Sequence, residues 1–115
     1  MRPSTRKPSP EPAGTSAELM ESASEAAAEL LKAMANPQRL RVLCLLVERE
    51  MSVGEINALV PISQSALSQH LAVLRENNLV ATRREAQTVF YSVADGTVHD
   101  VIEVLHRNLC GPAQG

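Results

Sequence analysis

The spacing of the apolar residues changes twice along this chain, and that limits the fold more than any other feature. From Ser16 to about Asn77 they recur at three- and four-residue steps, the repeat of one helix face. From Leu79 to Val93 they fall in β-rich runs with a period near two, the repeat of a strand. From about Thr97 the helical step returns.

Local punctuation divides these stretches. Ser16, with Glu18 behind it, reads as the N-cap of a helix carrying Leu19, Ala23, Ala27, Leu30, Leu31 and Met34 on one face. Asn36-Pro37 ends it and opens a second helix over about 37–50, with Leu40, Leu43, Cys44, Leu46 and Val47 turned inward. Ser52-Val53-Gly54-Glu55 has the form of a capping box and opens a short third helix ending near Val60. Pro61 stops that helix, and Ser63 caps a fourth with Ala66, Leu67, Leu71 and Leu74 on one side. Asn77-Asn78 closes it. Leu79–Arg84 and Gln87–Val93 read as a hairpin around Glu85-Ala86. That turn has neither Gly nor Asn, which argues against a tight primed two-residue loop. A final helix over about 97–110 carries Val98, Val101, Ile102, Leu105 and Leu109, and Gly111-Pro112 ends it. The expected fold is mainly α with a β-hairpin wing, four helices, two strands and a fifth helix.

Composition narrows the reading. Phe90 and Tyr91 are the only aromatics among 115 residues, so the core is built from Leu, Val, Ile, Met and Ala and is modest in size. Residues 1–15 contain Pro3, Pro8, Pro10 and Pro12 and read as a disordered tail, leaving a folded domain over 16–111 and a flexible end at 112–115. The tail holds Arg2, Arg6 and Lys7, either as a solvated end or as a basic arm touching phosphate. No run of 18 apolar residues exists and the N-terminus lacks a signal-peptide core, so no membrane partner and a cytoplasmic location are expected. No glycine-rich phosphate loop or acid–base–nucleophile set is present, so neither an enzyme nor a cofactor is expected.

Two short helices joined by a tight connection, Ser52–Val60 and Ser63–Asn77, form a helix-turn-helix, whose second helix enters the DNA major groove. Net charge is −2, so DNA attraction must come from a local patch. The second helix supplies one. Ser63, Gln64, Ser65, Ser68, Gln69 and His70 offer hydroxyls, amides and an imidazole to base edges and phosphates, and Arg75 extends the stretch. No acid occurs in it before Glu76. Arg83 and Arg84, with Gln87 and Thr88, stand near the tip of the hairpin, where long cations reach phosphate or a narrow minor groove. The alternative there is a solvated turn, since Glu85 partly cancels the charge.

The segments LLKAMANPQRLRVLCLL, MSVGEI, ISQSALSQHLAVLRENNLVATRREAQTVFYSV and LHRNLCG resemble the ArsR/SmtB family of winged-helix repressors, and within it the thiol-based subgroup that responds to sulfide and oxidants. The resemblance covers about residues 25–111. It implies a homodimer, through the first and last helices, that binds a near-palindromic operator and releases it when an inducer acts. Founding members bind metal, but the matching positions here lack the ligands. Ser52-Val53-Gly54-Glu55 stands where a cysteine-rich segment belongs. Along and beside the last helix, Asp95 is followed by Thr97, Asn108 and Gly111 where histidines or acids belong. No metal site is therefore expected, and His99 and His106 read as surface or interface histidines.

The two cysteines remain. By itself Cys44 reads as a small core residue, and Cys110, at a helix C-terminus, gains nothing from the dipole toward a thiolate. The residues alone leave a redox role open. The resemblance implies that Cys44 and Cys110 form a disulfide or longer sulfur bridge in response to reactive sulfur or oxidants. It leaves two alternatives beside a thiol-switched repressor, an activator or antirepressor on the same DNA-binding fold, and a metal-responsive repressor with a non-standard site.

Overall fold

The structure is a computed structural model and describes residues 15–109. The proline-rich N-terminal residues 1–14, the expected flexible end and Cys110 lie outside the described residues. The elements in chain order are α1 (Ser16–Met34), α2 (Pro37–Glu48), β1 (Met51–Ser52), α3 (Val53–Leu59), α4 (Gln64–Glu76), β2 (Val80–Glu85), β3 (Thr88–Val93) and α5 (Thr97–Leu109). The described residues divide after Leu31 into two compact units, 15–31 and 32–109.

The first unit holds most of α1. Its cap is Thr15, one residue earlier than the sequence reading placed it. Thr15 Oγ1 accepts from Glu18 N at 3.1 Å, and Glu18 Oε1 accepts from Thr15 N at 3.0 Å. A capping box needs an acid three residues after the cap. Counted from Ser16 that position is Leu19, which has nothing to return. Leu19, Met20 and Leu31 stand exposed on this helix.

The second unit contains the helix-turn-helix and the sheet. Asn36 caps α2, its Oδ1 accepting from Gln38 N and Arg39 N, and Pro37 fills a first-turn position where no N–H is needed. Val42, Leu43 and Leu46 of α2, Ile56 of α3, Leu67, Leu71 and Leu74 of α4, and Val98 and Ile102 of α5 are buried together. Cys44 was expected to face inward with them but is only half-buried, at the edge of this core. Asn77 and Asn78 end α4 as a Schellman motif. Leu79 N donates to Leu74 O at 2.8 Å and Asn78 N to Arg75 O at 3.0 Å, with Asn78 at φ 61°. Leu79 is then carried into the core.

The sheet corrects two expectations. It has three antiparallel strands in the order β1-β3-β2, not two. Met51 pairs with Tyr91 and Ser52 with Phe90, so Ser52 both ends β1 and caps α3. Two residues are too few to show an alternation, which is why β1 read as part of the connection. The hairpin loop is also a two-residue one. Glu85 pairs with Thr88, leaving Ala86-Gln87 as the turn. Ala86 takes φ 57°, the left-handed region that a turn of this kind requires and that Gly would fill without strain. Full pairing along both strands holds an alanine there.

Among the described residues, no helix is long and apolar enough to cross a membrane.

Candidate nucleic-acid interface

The turn between α3 and α4 is held by a side chain. Asn57 Nδ2 donates to Val60 O at 3.3 Å and to Ile62 O at 2.9 Å. Sequence reasoning passed over Asn57. An amide placed three and five residues ahead of a Pro-containing turn was the available signal. The capping box at Ser52 is complete, with Ser52 Oγ accepting from Glu55 N and Glu55 Oε1 accepting from Ser52 N. Ser63 Oγ accepts from Ala66 N at 3.1 Å, which fixes where α4 begins.

Burial of Leu67, Leu71 and Leu74 sets the rotation of α4. The opposite face then presents Gln64, Ser65, Ser68, Gln69, Ala72 and Arg75 to solvent, with Ser63 exposed just before it. His70 sits half-buried at the margin. The first turn contains no acid, so the partial positive charge of the helix N-terminus is not cancelled. The face is polar, uncharged at its N-terminal end and cationic further along, which suits base edges flanked by phosphate.

The wing residues divide by strand alternation. Arg83, Arg84, Gln87 and Thr88 are all exposed, and Arg84 has no ion-pair partner among the described residues. Arg83 is on the other face of β2 and is already engaged. Its Nε donates to Glu50 Oε1 and Oε2 at 2.7 and 2.9 Å, its Nη1 to Glu85 Oε1 at 3.2 Å, and its guanidinium carbon lies 4.8 Å from the Phe90 ring centroid. The hydrogen bond from Arg83 holds the Glu50 carboxyl below the usual range for glutamate, outweighing a smaller upward push from desolvation. The same bonds push the Arg83 guanidinium further up. The cation expected at the wing tip is thus matched by two carboxylates.

Three consecutive residues after the core of α2 reach three different elements. Glu48 Oε2 is 2.7 Å from His106 Nε2 on α5. Arg49 Nη1 is 4.0 Å from Glu55 Oε2 on α3. Glu50 holds Arg83 on the wing.

Cys44 lines a groove of about 390 Å³ together with Pro37, Leu40, Arg41, Leu45 and Glu48 of α2 and His106 of α5. Its expected partner Cys110 lies outside the described residues. A cluster that the sequence reading did not single out occurs on α5, where one ligand-type atom each from His99, Asp100 and Glu103 lie within 4.8 Å of one another. His99 Nδ1 is 4.0 Å from Glu103 Oε1, the ordinary i,i+4 pairing of a helix surface.

Residues 36–82 match the family model described as bacterial regulatory protein, arsR family. The chain is 56% identical over 91 residues to the transcriptional activator HlyU of Vibrio cholerae, spanning 79% of this chain and 84% of that protein. It is 44% identical over 95 residues to the biofilm growth-associated repressor of Agrobacterium fabrum, spanning 83% and 81%. The solved structure of the transcriptional repressor BigR from Xylella fastidiosa is similar at a TM-score of 0.79 and 38% identity, over 87% of this chain and 100% of that one.

Proposed function

This chain belongs to the ArsR family of winged-helix transcriptional regulators, and on that footing we propose that it is a dimeric repressor switched by the linking of Cys44 and Cys110. α4 reads the operator from the major groove through Gln64, Ser65, Ser68, Gln69 and His70. Ser63, Arg75, Arg84, Gln87 and Thr88 hold phosphate or minor-groove edges. The dimer forms through α1 and α5. Exposed Leu19, Met20 and Leu31 on α1, and Val104 and Leu109 on α5, supply apolar surface for a two-fold interface. Its place of action is the cytoplasm, with the operator.

The observation that carries the switch is the groove shared by Cys44 and His106. Position 110 follows His106 by four residues in the sequence, the spacing of about one helical turn. The proposed link asks Cys110 to reach Cys44 at this groove. Cys44 thiolate takes the outer sulfur of a low-molecular-weight persulfide, releasing the parent thiol. Cys110 thiolate then displaces hydrosulfide and closes the disulfide. Such a link ties α5 to the helix that leads into the DNA-reading unit, and operator affinity falls through the difference between the two states.

Intact-mass spectrometry after persulfide or peroxide treatment, paired with an operator gel shift, tests this. A linked protein that releases operator supports it, and a linked protein that still binds overturns it. The relative named as an activator gives a second reading of the output, with the same DNA contacts and the opposite sign. A promoter reporter separates the two.

A further inference from the structure

We infer that Glu50 is a positioning residue for the wing, strapping its outer strand to the body of the domain and withholding Arg83 from DNA. The strand order makes this possible. β2 is an edge strand that pairs only with β3, and β3 alone pairs with β1. Glu50 immediately precedes β1, so its bridge to Arg83 on β2 crosses over β3, a span of two strand spacings, or about 9.5 Å. The crossing point is Phe90, which pairs with Ser52 on one side and with Arg83 on the other. The guanidinium lies over that ring, 4.8 Å from its centroid. The edge strand is therefore held by a charged strap as well as by the ladder.

Charge counting gives the second half of the inference. Arg83 faces two carboxylates, Glu50 and Glu85, so the cluster carries one net negative charge. A phosphate would have to displace a two-oxygen contact and approach past Glu85 to reach it. Arg84 points to the opposite face of the strand and meets no such competition. Of two adjacent arginines, one positions the wing and the other meets the backbone.

The test uses the full chain and fluorescence anisotropy with operator and random duplexes, over about 50–200 mM salt, the range in which phosphate contacts declare themselves. Glu50→Gln keeps the shape and removes the charge. It should steepen the slope of log K against log salt by about 0.9 per protomer, one added phosphate contact. It should also raise affinity for random duplex and narrow the operator-to-random ratio. Arg83→Ala in the wild-type background should leave the slope unchanged, and in the Glu50→Gln background it should remove the gain. Circular dichroism confirms that each variant is folded. The inference is overturned if folded Glu50→Gln shows the wild-type slope and ratio. It is equally overturned if Arg83→Ala alone flattens the slope as much as Arg84→Ala does, for Arg83 would then sit on phosphate.

Discussion

His106 Nε2 and Glu48 Oε2 lie 2.7 Å apart and fasten α5 to the last turn of α2 at the rim of the groove that holds Cys44. The side chains are 21% and 55% exposed, so water screens the pair and its contribution is small. A double-mutant cycle of His106→Ala and Glu48→Gln on thermal unfolding should give a coupling of about 0.2–1 kcal/mol. A value beyond about 3 kcal/mol would instead describe a buried bridge.

The Glu50–Arg83 pair predicts a pH effect with a definite sign. The folded-state pKa of Glu50 is depressed, so the stability it confers is present above the unfolded value and is lost as pH falls through the folded one. Carbon-detected NMR should therefore show the Glu50 carboxyl titrating below the ordinary glutamate value of about 4.3. In Arg83→Ala the midpoint should return upward. An unchanged midpoint in that variant would remove Arg83 as the cause.

DNA binding separates α4 from the wing. Gln69→Ala should cost about 1–3 kcal/mol on operator and relax preference at one base position. Arg84→Ala should weaken operator and random duplex alike and flatten the salt slope by about 0.9 per protomer. Selection of preferred sites for each variant, with anisotropy across salt, checks both. A loss confined to operator in Arg84→Ala would make that residue a base reader.

The turn at Ala86 stores strain that a single change can relieve. Ala86→Gly removes the cost of a left-handed alanine, while adding chain entropy to the unfolded state. The net should be a gain of about 0.5–1 kcal/mol, read as a raised midpoint in urea. A drop in stability would mean that the alanine methyl is used in a way the turn geometry does not require.

How much of this could be read in advance followed the range of the interaction responsible. Ser52 with Glu55, Asn36 with Pro37, and Ser63 ahead of Ala66 act over two or three residues, and each stands where the sequence placed it. The exposed face of α4 was legible because Leu67, Leu71 and Leu74 fix the opposite side. β1 was not, since Met51 and Ser52 become a strand only by meeting Tyr91 and Phe90 some forty residues later. Arg83 looked like an open cation because Glu50 lies 33 residues away in sequence. The groove beside Cys44 was hidden for the same reason, since it exists only where α5 returns to α2. The cap of α1 was misplaced by one residue because Thr15 and Ser16 are both good caps, and only Glu18 chooses between them.

Operator affinity of the wild type, Cys44→Ser and Cys110→Ser, each measured before and after persulfide, tests the proposed switch most directly. All three should bind alike when reduced. Only the wild type should then release the operator, by about a hundredfold, or about 2.7 kcal/mol of coupling. Release by either single-cysteine variant would contradict the account and return Cys44 to a small side chain at the edge of a leucine core.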